Sequence, residues 1–241
     1  SGKPVAPRAG KAVEIQALWY NVLRTMELLA VEFGERPEAE KLASRAEKLR
    51  KSFVSKFWNR QKDCLYDVVG KNGPDDSIRP NQILAVSLDF ALLNAERNEK
   101  VAHVVQNELL TPYGLRTLSK NDPCYIGVYN GDRSTRDGAY HCGTAWPWLM
   151  GPLTTAFLKI EDHAEAQREY AFKSFLAPLF TAHIYEAGLG TVSEIFDGDP
   201  PHASRGCISQ AWSVAELLRA YFEDVLLIRP EHERKVLNKS T

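Results

Sequence analysis

Cysteine, long apolar runs and an excess of either charge are all scarce in this sequence. Its four cysteines, none in a Cys-x-x-Cys pair, are too few for the disulfide framework of a small secreted protein. We therefore expect reduced thiols and a cytoplasmic location. No apolar run approaches the roughly 18 residues of a membrane-spanning helix. With 30 basic and 31 acidic residues the net charge is −1, which favours neither a nucleic acid nor a membrane as partner.

The sequence also shows no recognisable spacing of metal ligands and no targeting segment. The residues that could form a metal set, His141, Cys142, His202 and Cys207, match no known zinc pattern, so we expect no metal and no cofactor. The first ten residues, SGKPVAPRAG, lack the apolar core of a signal peptide. What is present is 44% hydrophobic residues, enough for one domain. We place that domain at residues 4–228, followed by a polar tail at 229–241.

Apolar residues recur at helical spacing through most of the chain. In the first segment Val22, Met26, Leu29 and Phe33 follow this spacing, and Gly34 ends it. Two short strands fit residues 64–69 and 182–187. The periodicity predicts seven helices, at about residues 13–33, 37–57, 80–92, 99–110, 146–160, 163–180 and 209–227. The sequence therefore predicts an all-α protein.

The links between these helices alternate in length. The first and second, third and fourth, and fifth and sixth helices are joined by short links, which make antiparallel hairpins. The intervening links are far longer, and stacked hairpins place all of them at one end. Two architectures remain possible, an open solenoid and a closed α/α toroid. The toroid predicts a pocket at the end where the long links meet.

The long links carry the side chains that bind sugars, namely aromatic platforms, acids, amides and arginine. Each candidate also has a purely structural explanation. Glu14, Arg79 and Asn81 fit helix starts, and the aromatic residues fit a cap over the core. We predict that the following residues contact a substrate: Glu14, Arg79, Asn81, Asp137, His141 and Trp146.

The last long link, GLGTVSEIFDGDPP, holds three acids in a turn-rich stretch. Asp197 and Asp199 fit solvated turn positions, because Asp-Gly and Asp-Pro are turn dipeptides. Glu194 lies between apolar residues, and a carboxylate held in that way costs free energy unless it is paired or used. Glycoside hydrolysis uses two carboxyl groups, one as acid and one as base or nucleophile. Glu194 is therefore our candidate catalytic residue.

Four ordered segments then resemble one family. PRAGKAVEIQALWYNVL, IRPNQILAVSL, GAYHCGTAWPWLMGP and GTVSEIFDGDPPHASRGCISQAWSVAELLRAY are similar to the C-terminal catalytic region of prokaryotic glycogen debranching enzymes, the amylo-α-1,6-glucosidase family. The resemblance implies part of an (α/α)6 toroid, inversion at the anomeric carbon and release of α-1,6-linked glucose from glycogen or a limit dextrin. It also implies that Glu194 is the general base and that Glu14, Arg79, Asn81, His141 and Trp146 line the sugar site.

Two departures from the family pattern shape our expectations. Cys142 stands where the family commonly has Gln, which replaces an amide with a weakly polar thiol. The family's general acid, an Asp in a Trp-Met-Asp segment just upstream of PRAGKAVEI, has no counterpart here. We therefore expect a C-terminal portion of the toroid that holds the base but not the acid and is inactive alone.

Three other hypotheses remain open at this stage. One is a non-catalytic partial toroid that binds glucan or completes its site with another chain. Another is a glucosidase of the same fold that acts on a different glucoside. The isolated chain is also a candidate for association, either with itself or with the missing part of the toroid, because unpaired hairpins at the ends of the stack would expose apolar faces.

Overall fold

A computed structural model describes residues 6–229 of the chain. The predicted tail from residue 230 onward therefore lies outside the described residues. The α-helices are α1 (Val13–Glu32), α2 (Arg36–Phe57), α3 (Leu84–Ser87), α4 (Ala95–Leu109), α5 (Arg133–Tyr140), α6 (Met150–Ile160), α7 (Glu165–Ala171), α8 (Ala177–Thr181) and α9 (Ala211–Arg219). Within these residues no helix combines the length and apolar character needed to cross a bilayer.

The strands are very short. They are β1 (Lys11–Ala12), β2 (Trp58–Asn59), β3 (Cys64–Leu65), β4 (Val68–Gly70), β5 (Gly73–Asp75), β6 (Leu110–Thr111), β7 (Gly114–Arg116), β8 (Ala145–Trp146), β9 (Ile195–Phe196) and β10 (Ser204–Arg205). They form antiparallel sheets in the orders β1-β4-β5, β2-β3 and β10-β9-β8-β7-β6. The predicted strand at 64–69 is confirmed as β3 and β4.

Helices α1 and α2 form the first antiparallel hairpin, as the sequence predicts. Gly34 turns the chain with φ +79, a left-handed conformation that glycine adopts without steric cost. Pro37 then occupies the first turn of α2, where its missing N–H has no intrahelical partner to lose. Phe53 and Phe57 stack at 4.7 Å and bury the inner face of α2.

The predicted third helix is wrong beyond its first turns. Pro80 starts a 3-10 turn that ends at Ile83, and α3 adds one α-turn before Leu88 becomes extended at ψ 156. The backbone carbonyl groups that would have accepted hydrogen bonds within a longer helix accept them from a distant side chain instead. Lys159 of α6 donates to the carbonyl oxygens of Ser87 and Leu88 at 2.7 and 2.8 Å. These long-range bonds override the local periodicity.

Residues 182–187 do not form the predicted strand. His183 begins a 3-10 turn, and its ring is fully buried. The backbone N–H of Ser193 donates to the His183 Nε2 at 3.1 Å. The segment is thus held by a side chain rather than by a strand partner.

The two C-terminal helical segments are interrupted, although the periodicity predicts them as continuous. A π-helical stretch at Phe172–Leu176 joins α7 to α8, and a second at Ala220–Val225 follows α9. Helix α6 lies at the centre of the fold, and Met150, Leu153 and Leu158 on it are completely buried. Around it, α3, α4 and α9 pack, which brings the long links together at one end.

The five-stranded sheet is the element that joins those links. It pairs β7 and β8 with β9 and β10, so that residues from two separate long links become neighbours. Ala145 of β8 lies opposite Phe196 of β9. Sequence periodicity did not reveal this sheet because two-residue strands are too short to show alternation. The sheet, together with α5, builds the mouth of the site described next.

Candidate active site

A cavity of about 300 Å³ opens where the long links meet. Its wall is mostly apolar and carries a few polar groups, as small-molecule sites commonly do. The lining residues are Ala6, Arg8, Arg79, Pro80, Asn81, Thr117, His141, Trp146, Trp148, Leu149 and Trp212.

Arg8 is bound on two sides by carboxylates. Its Nε and Nη2 donate to Asp67 at 2.6 and 2.8 Å, and its Nη1 and Nη2 donate to Glu14 at 2.6 and 2.8 Å. The Asp67 side chain is only 1% exposed. Burial raises the pKa of Asp67 despite the nearby guanidinium. Burial alone would lower the pKa of Arg8, but the hydrogen bonds that Arg8 donates to both acids outweigh it and raise that pKa. The cluster is therefore a rigid, charge-compensated support.

Arg79 and Asn81 extend this support to the opposite links. The Arg79 Nη1 donates to the backbone oxygens of Thr117 at 3.0 Å and His141 at 2.6 Å. With its amide oxygen assigned toward Arg8, Asn81 accepts from that guanidinium at 3.3 and 3.2 Å. Glu14, Arg79, Asn81 and His141, all predicted from sequence, are thus brought together.

Aromatic rings form the other wall of the cavity. His141 stacks on Trp146 with ring centroids 5.5 Å apart, and Trp212 lies 5.7 Å from both Trp146 and Trp148. Burial, with Arg79 and Arg8 nearby, lowers the pKa of His141, so its imidazole is neutral at pH 7. Trp148 lines the cavity and also packs against the hydrophobic core.

Glu194 lies immediately before β9 and is held by two neutral donors. Tyr140 donates its hydroxyl proton to one carboxylate oxygen, and the backbone N–H of Cys207 donates to the other at 2.9 Å. Burial raises the pKa of Glu194, but these hydrogen bonds outweigh it and the net pKa is lowered. Glu194 is therefore ionised at neutral pH without any guanidinium or ammonium partner among the described residues.

Tyr140 links this carboxylate to the cavity wall. Its ring lies 4.7 Å from that of His141 and 4.9 Å from that of Trp146, both in edge-on contact. The same side chain therefore touches Glu194 and two cavity residues. A carboxylate without a cation, placed beside an aromatic wall, is available to act on a bound water or hydroxyl group.

Gly206 is required for this arrangement. Its φ of +66 is left-handed, and a Cβ built there would lie 2.5 Å from the Glu194 Oε2. Any other residue would push the carboxylate away from the Cys207 N–H.

The neighbouring acids have different roles. The prediction that Asp197 is a solvated turn acid is wrong, because it is buried, accepts from the Tyr129 N–H at 2.8 Å and pairs with Arg205 at 2.9 Å. Asp199 does form a turn, since its carbonyl accepts from the His202 N–H at 2.9 Å. Burying an acid requires a partner, and the partner of Asp197 lies across the β9–β10 pair.

Glu14 and Glu194 do not line the cavity themselves and reach its wall through Arg8 and Tyr140. Two further residues singled out from the sequence also lie off the cavity. Asp137 is on α5, where its half-exposed side chain lies 3.7 Å from Arg133. Cys142 is buried and does not line the cavity, so the thiol that departs from the family pattern makes no contribution to its wall.

Sequence reasoning missed three contributors. Asp67 is a lone acid within the apolar run CLYDVV, and that contrast was the available signal. Trp212 lies within the last predicted helix, where it fits an apolar helical position, so nothing in the sequence marked it as a cavity residue. Thr117 gave no signal in the sequence, because its place in the wall depends on the pairing of β7 with β8.

Comparison with known proteins gives one family and one fold. A family model described as amylo-alpha-1,6-glucosidase matches residues 1–219. The glycogen debranching enzyme of Saccharomyces cerevisiae is 24% identical over an alignment of 267 positions, gaps included, that covers 92% of this chain and 17% of that enzyme. The chain thus spans about a sixth of the length of this curated relative.

Solved structures with the same fold are also glycosidases by name. A sialidase superposes with a TM-score of 0.71 at 14% identity, covering 94% of this chain and 21% of that one. The neutral trehalase of Saccharomyces cerevisiae gives 0.61 at 15%, covering 95% and 40%. A Thermus thermophilus mannosylglycerate hydrolase in complex with glucose gives 0.59 at 17%, covering 87% and 47%. The fold is therefore part of an (α/α)6 toroid.

Proposed function

The chain belongs to the amylo-α-1,6-glucosidase family, and on that premise we propose that it carries the general base of an inverting glycoside hydrolase. The substrate is an α-1,6-linked glucose at a branch point of glycogen or a limit dextrin, as in debranching enzymes of the prokaryotic type. The observation that carries this proposal is the placement of Glu194. Its ionised form is stabilised only by hydrogen bonds from neutral donors, which lower its pKa. One of these donors, Tyr140, also contacts the cavity wall.

Glu194 acts on water in this proposal. Each of its oxygens accepts one hydrogen bond from the protein, so lone pairs remain to take a proton from water as it attacks the anomeric carbon. In inverting enzymes the acid and base are about 6.5–9.5 Å apart, which leaves room for that water.

The general acid comes from outside residues 6–229. The two acids joined to Arg8, Glu14 and Asp67, are both committed to that guanidinium. The oxygens of both carboxylates accept charge-assisted hydrogen bonds from Arg8, so neither carboxyl group is free to hydrogen-bond to a leaving oxygen. This chain therefore supplies the base and the glucose pocket, and the rest of the enzyme supplies the proton.

The glucose ring is held between the two walls of the cavity. Trp146, Trp148 and Trp212 offer apolar ring surface for the C–H face of the sugar. Arg79, Asn81 and the neutral His141 face the hydroxyl groups, with Glu14 acting through Arg8. Asp137, which lies off the cavity, is assigned no contact with this glucose.

Two apolar helix faces indicate where the rest of the toroid packs. On α1, exposed side chains recur at helical spacing at Ile15, Trp19, Val22, Met26 and Phe33, the last 78% exposed. A second face follows α9, with Leu218 and Phe222 about half-exposed. Contiguous apolar faces of this kind mark interaction surfaces. We propose that further toroid helices cover both faces and that the isolated chain associates through them.

Glu194→Gln in the complete enzyme tests the catalytic assignment. We expect glucose release from limit dextrin to fall by about 10²–10⁴-fold, the usual contribution of a general base, while glucan binding is retained. Glu165→Gln, on an exposed position of α7, is the matched control and should leave the rate unchanged. Undiminished glucose release by Glu194→Gln would refute the assignment.

Sedimentation velocity tests the packing proposal separately. The isolated chain should associate at micromolar concentration, and Val22→Ser with Met26→Ser should shift it toward monomer. A monomeric wild-type chain would show that these faces do not drive association.

A further inference from the structure

A second concave site lies away from the catalytic cavity, at the C-terminal end of α2. Its volume is about 450 Å³, within the range of about 300–1,000 Å³ typical of small-molecule sites. We call it the basic groove, and it is lined by Arg50, Lys51, Val54, Ser55, Trp58, Arg60 and Arg97.

Positive charge is concentrated around this groove although the chain as a whole is nearly neutral, with a net charge of −1. Between residues 45 and 62, Glu47 is the single acid. The basic residues of the same stretch are Arg45, Lys48, Arg50, Lys51, Lys56, Arg60 and Lys62. Within the groove itself, Arg50, Lys51, Arg60 and Arg97 are lining residues, and no acid is. Like charges in one groove repel one another, so a ligand that brings negative charge would be favoured here.

The one acid beside the groove is already used. Glu47 accepts from Arg50 at 3.0 and 3.2 Å and lies 3.5 Å from Lys51. Within the described part of the chain, no carboxylate pairs with Arg60 or with the Arg97 guanidinium. Arg97 instead lies over the Trp58 ring, 4.8 Å from its centroid. Two guanidinium groups thus remain open to an anion in one groove.

We propose that the basic groove binds a phosphate monoester carried on a sugar. Guanidinium groups present paired N–H donors that match phosphate oxygens and strengthen each hydrogen bond by charge. Trp58 and Val54 add an apolar wall of the kind that packs against a sugar ring. Two sources share this chemistry, a free hexose phosphate and a phosphate ester on a glucan. The site does not depend on Glu194 and goes beyond the proposed hydrolysis.

The groove is connected to the catalytic cavity by a short stretch of chain. Trp58 of β2 pairs with Leu65 of β3, and Asp67, two residues further on, holds Arg8 in the cavity. A ligand in the groove would therefore contact the β2–β3 hairpin, and the chain that follows this hairpin carries Asp67, the residue that binds Arg8.

Titration calorimetry with the 241-residue chain tests the proposal. We expect hexose 6-phosphate and inorganic phosphate to bind and glucose not to bind. Arg60→Ala and Arg97→Ala should each weaken binding by about tenfold or more, since hydrogen bonds to charged groups contribute about 1.5–3 kcal/mol. Arg45→Ala is the matched control, because it removes the same charge from α2 outside the groove and should change binding little.

Three results would overturn the proposal. One is the same affinity in Arg60→Ala, Arg97→Ala and the wild type. Another is equal weakening by Arg45→Ala, which would indicate only nonspecific attraction. The third is tighter binding of a single-stranded oligonucleotide than of any sugar phosphate, which would assign the groove to nucleic acid. A phosphorylated glucan that competes with hexose 6-phosphate, while the unmodified glucan does not, would identify the ester as a second source. Arg60 is exposed, so its variant folds even if Arg97→Ala does not.

Discussion

The carboxylates around the candidate active-site cavity are stabilised in two different ways. Asp67 and Glu14 are bound by the Arg8 guanidinium, whereas Glu194 is bound by a hydroxyl and a backbone N–H. The first arrangement neutralises charge and holds the wall in place. The second leaves the negative charge of Glu194 without a cationic partner, so that this carboxylate is available to accept a proton. The difference shows that a carboxylate's partner, and not its burial alone, determines whether it supports the site or can act in it.

Arg8→Ala should give the largest effect, because it removes both hydrogen bonds that Arg8 donates to the buried Asp67 and leaves only the Arg79 Nε, 3.6 Å away, as a cationic neighbour. Removing one partner of a buried ion pair costs about 3–5 kcal/mol, and we expect the free energy of unfolding measured in urea to fall by that amount. Arg8→Ala combined with Asp67→Asn should recover part of the loss, since the unpaired charge is then absent. Equal losses in the single and double variants would show that Arg8 contributes packing rather than charge compensation.

Gly206→Ala should have the next largest effect, and it should act on the Glu194 carboxylate rather than on Asp67. The added Cβ would clash with Glu194 in a backbone conformation that costs about 1–3 kcal/mol for a residue with a side chain. We expect kcat in the complete enzyme to fall more steeply than stability. Gly190→Ala, also left-handed at φ +70 but with open space around it, should lose stability without losing kcat. Similar kcat in both variants would disprove the role of Gly206.

Tyr140→Phe should act mainly on pH dependence. The Tyr140 hydroxyl helps to hold the pKa of Glu194 below its ordinary value, so its removal should raise that pKa and move the acid limb of kcat/KM to higher pH. Because the folded pKa is lowered, the stability from the Tyr140–Glu194 hydrogen bond is present above the unfolded pKa and is lost as pH falls through the folded value. If the acid limb did not shift, Tyr140 would not be the group that lowers the pKa of the proposed base.

Asp137→Asn should give the smallest effect. Its exposed side chain faces Arg133 and not the cavity, and such surface changes stay within about 0.5 kcal/mol. We expect an unchanged KM for limit dextrin. A raised KM would restore Asp137 to the substrate-binding residues that the sequence predicted.

The sequence predicted long amphipathic helices well and isolated contacts poorly. Helices α1, α2 and α6 follow from periodicity, and Gly34 and Pro37 mark the turn between the first two. The third helix failed because Lys159 binds the carbonyl oxygens of Ser87 and Leu88, which no local pattern records. In the cavity, Arg79, Asn81, His141 and Trp146 were named from the sequence, whereas Trp212 and Asp67 became visible only in three dimensions.

The resemblance of the segment around Glu194 to a known family supplied the candidate general base. By itself the sequence determined the helical class and the gathering of the long links at one end. These conclusions follow from local spacing, which sets the buried face of each helix. The tertiary structure alone decided which carboxylates are neutralised and which is available. Arg8 meets Asp67 from 59 residues away, and Tyr140 meets Glu194 from 54. Contacts at such separations depend on how the whole chain packs, so local patterns do not record them.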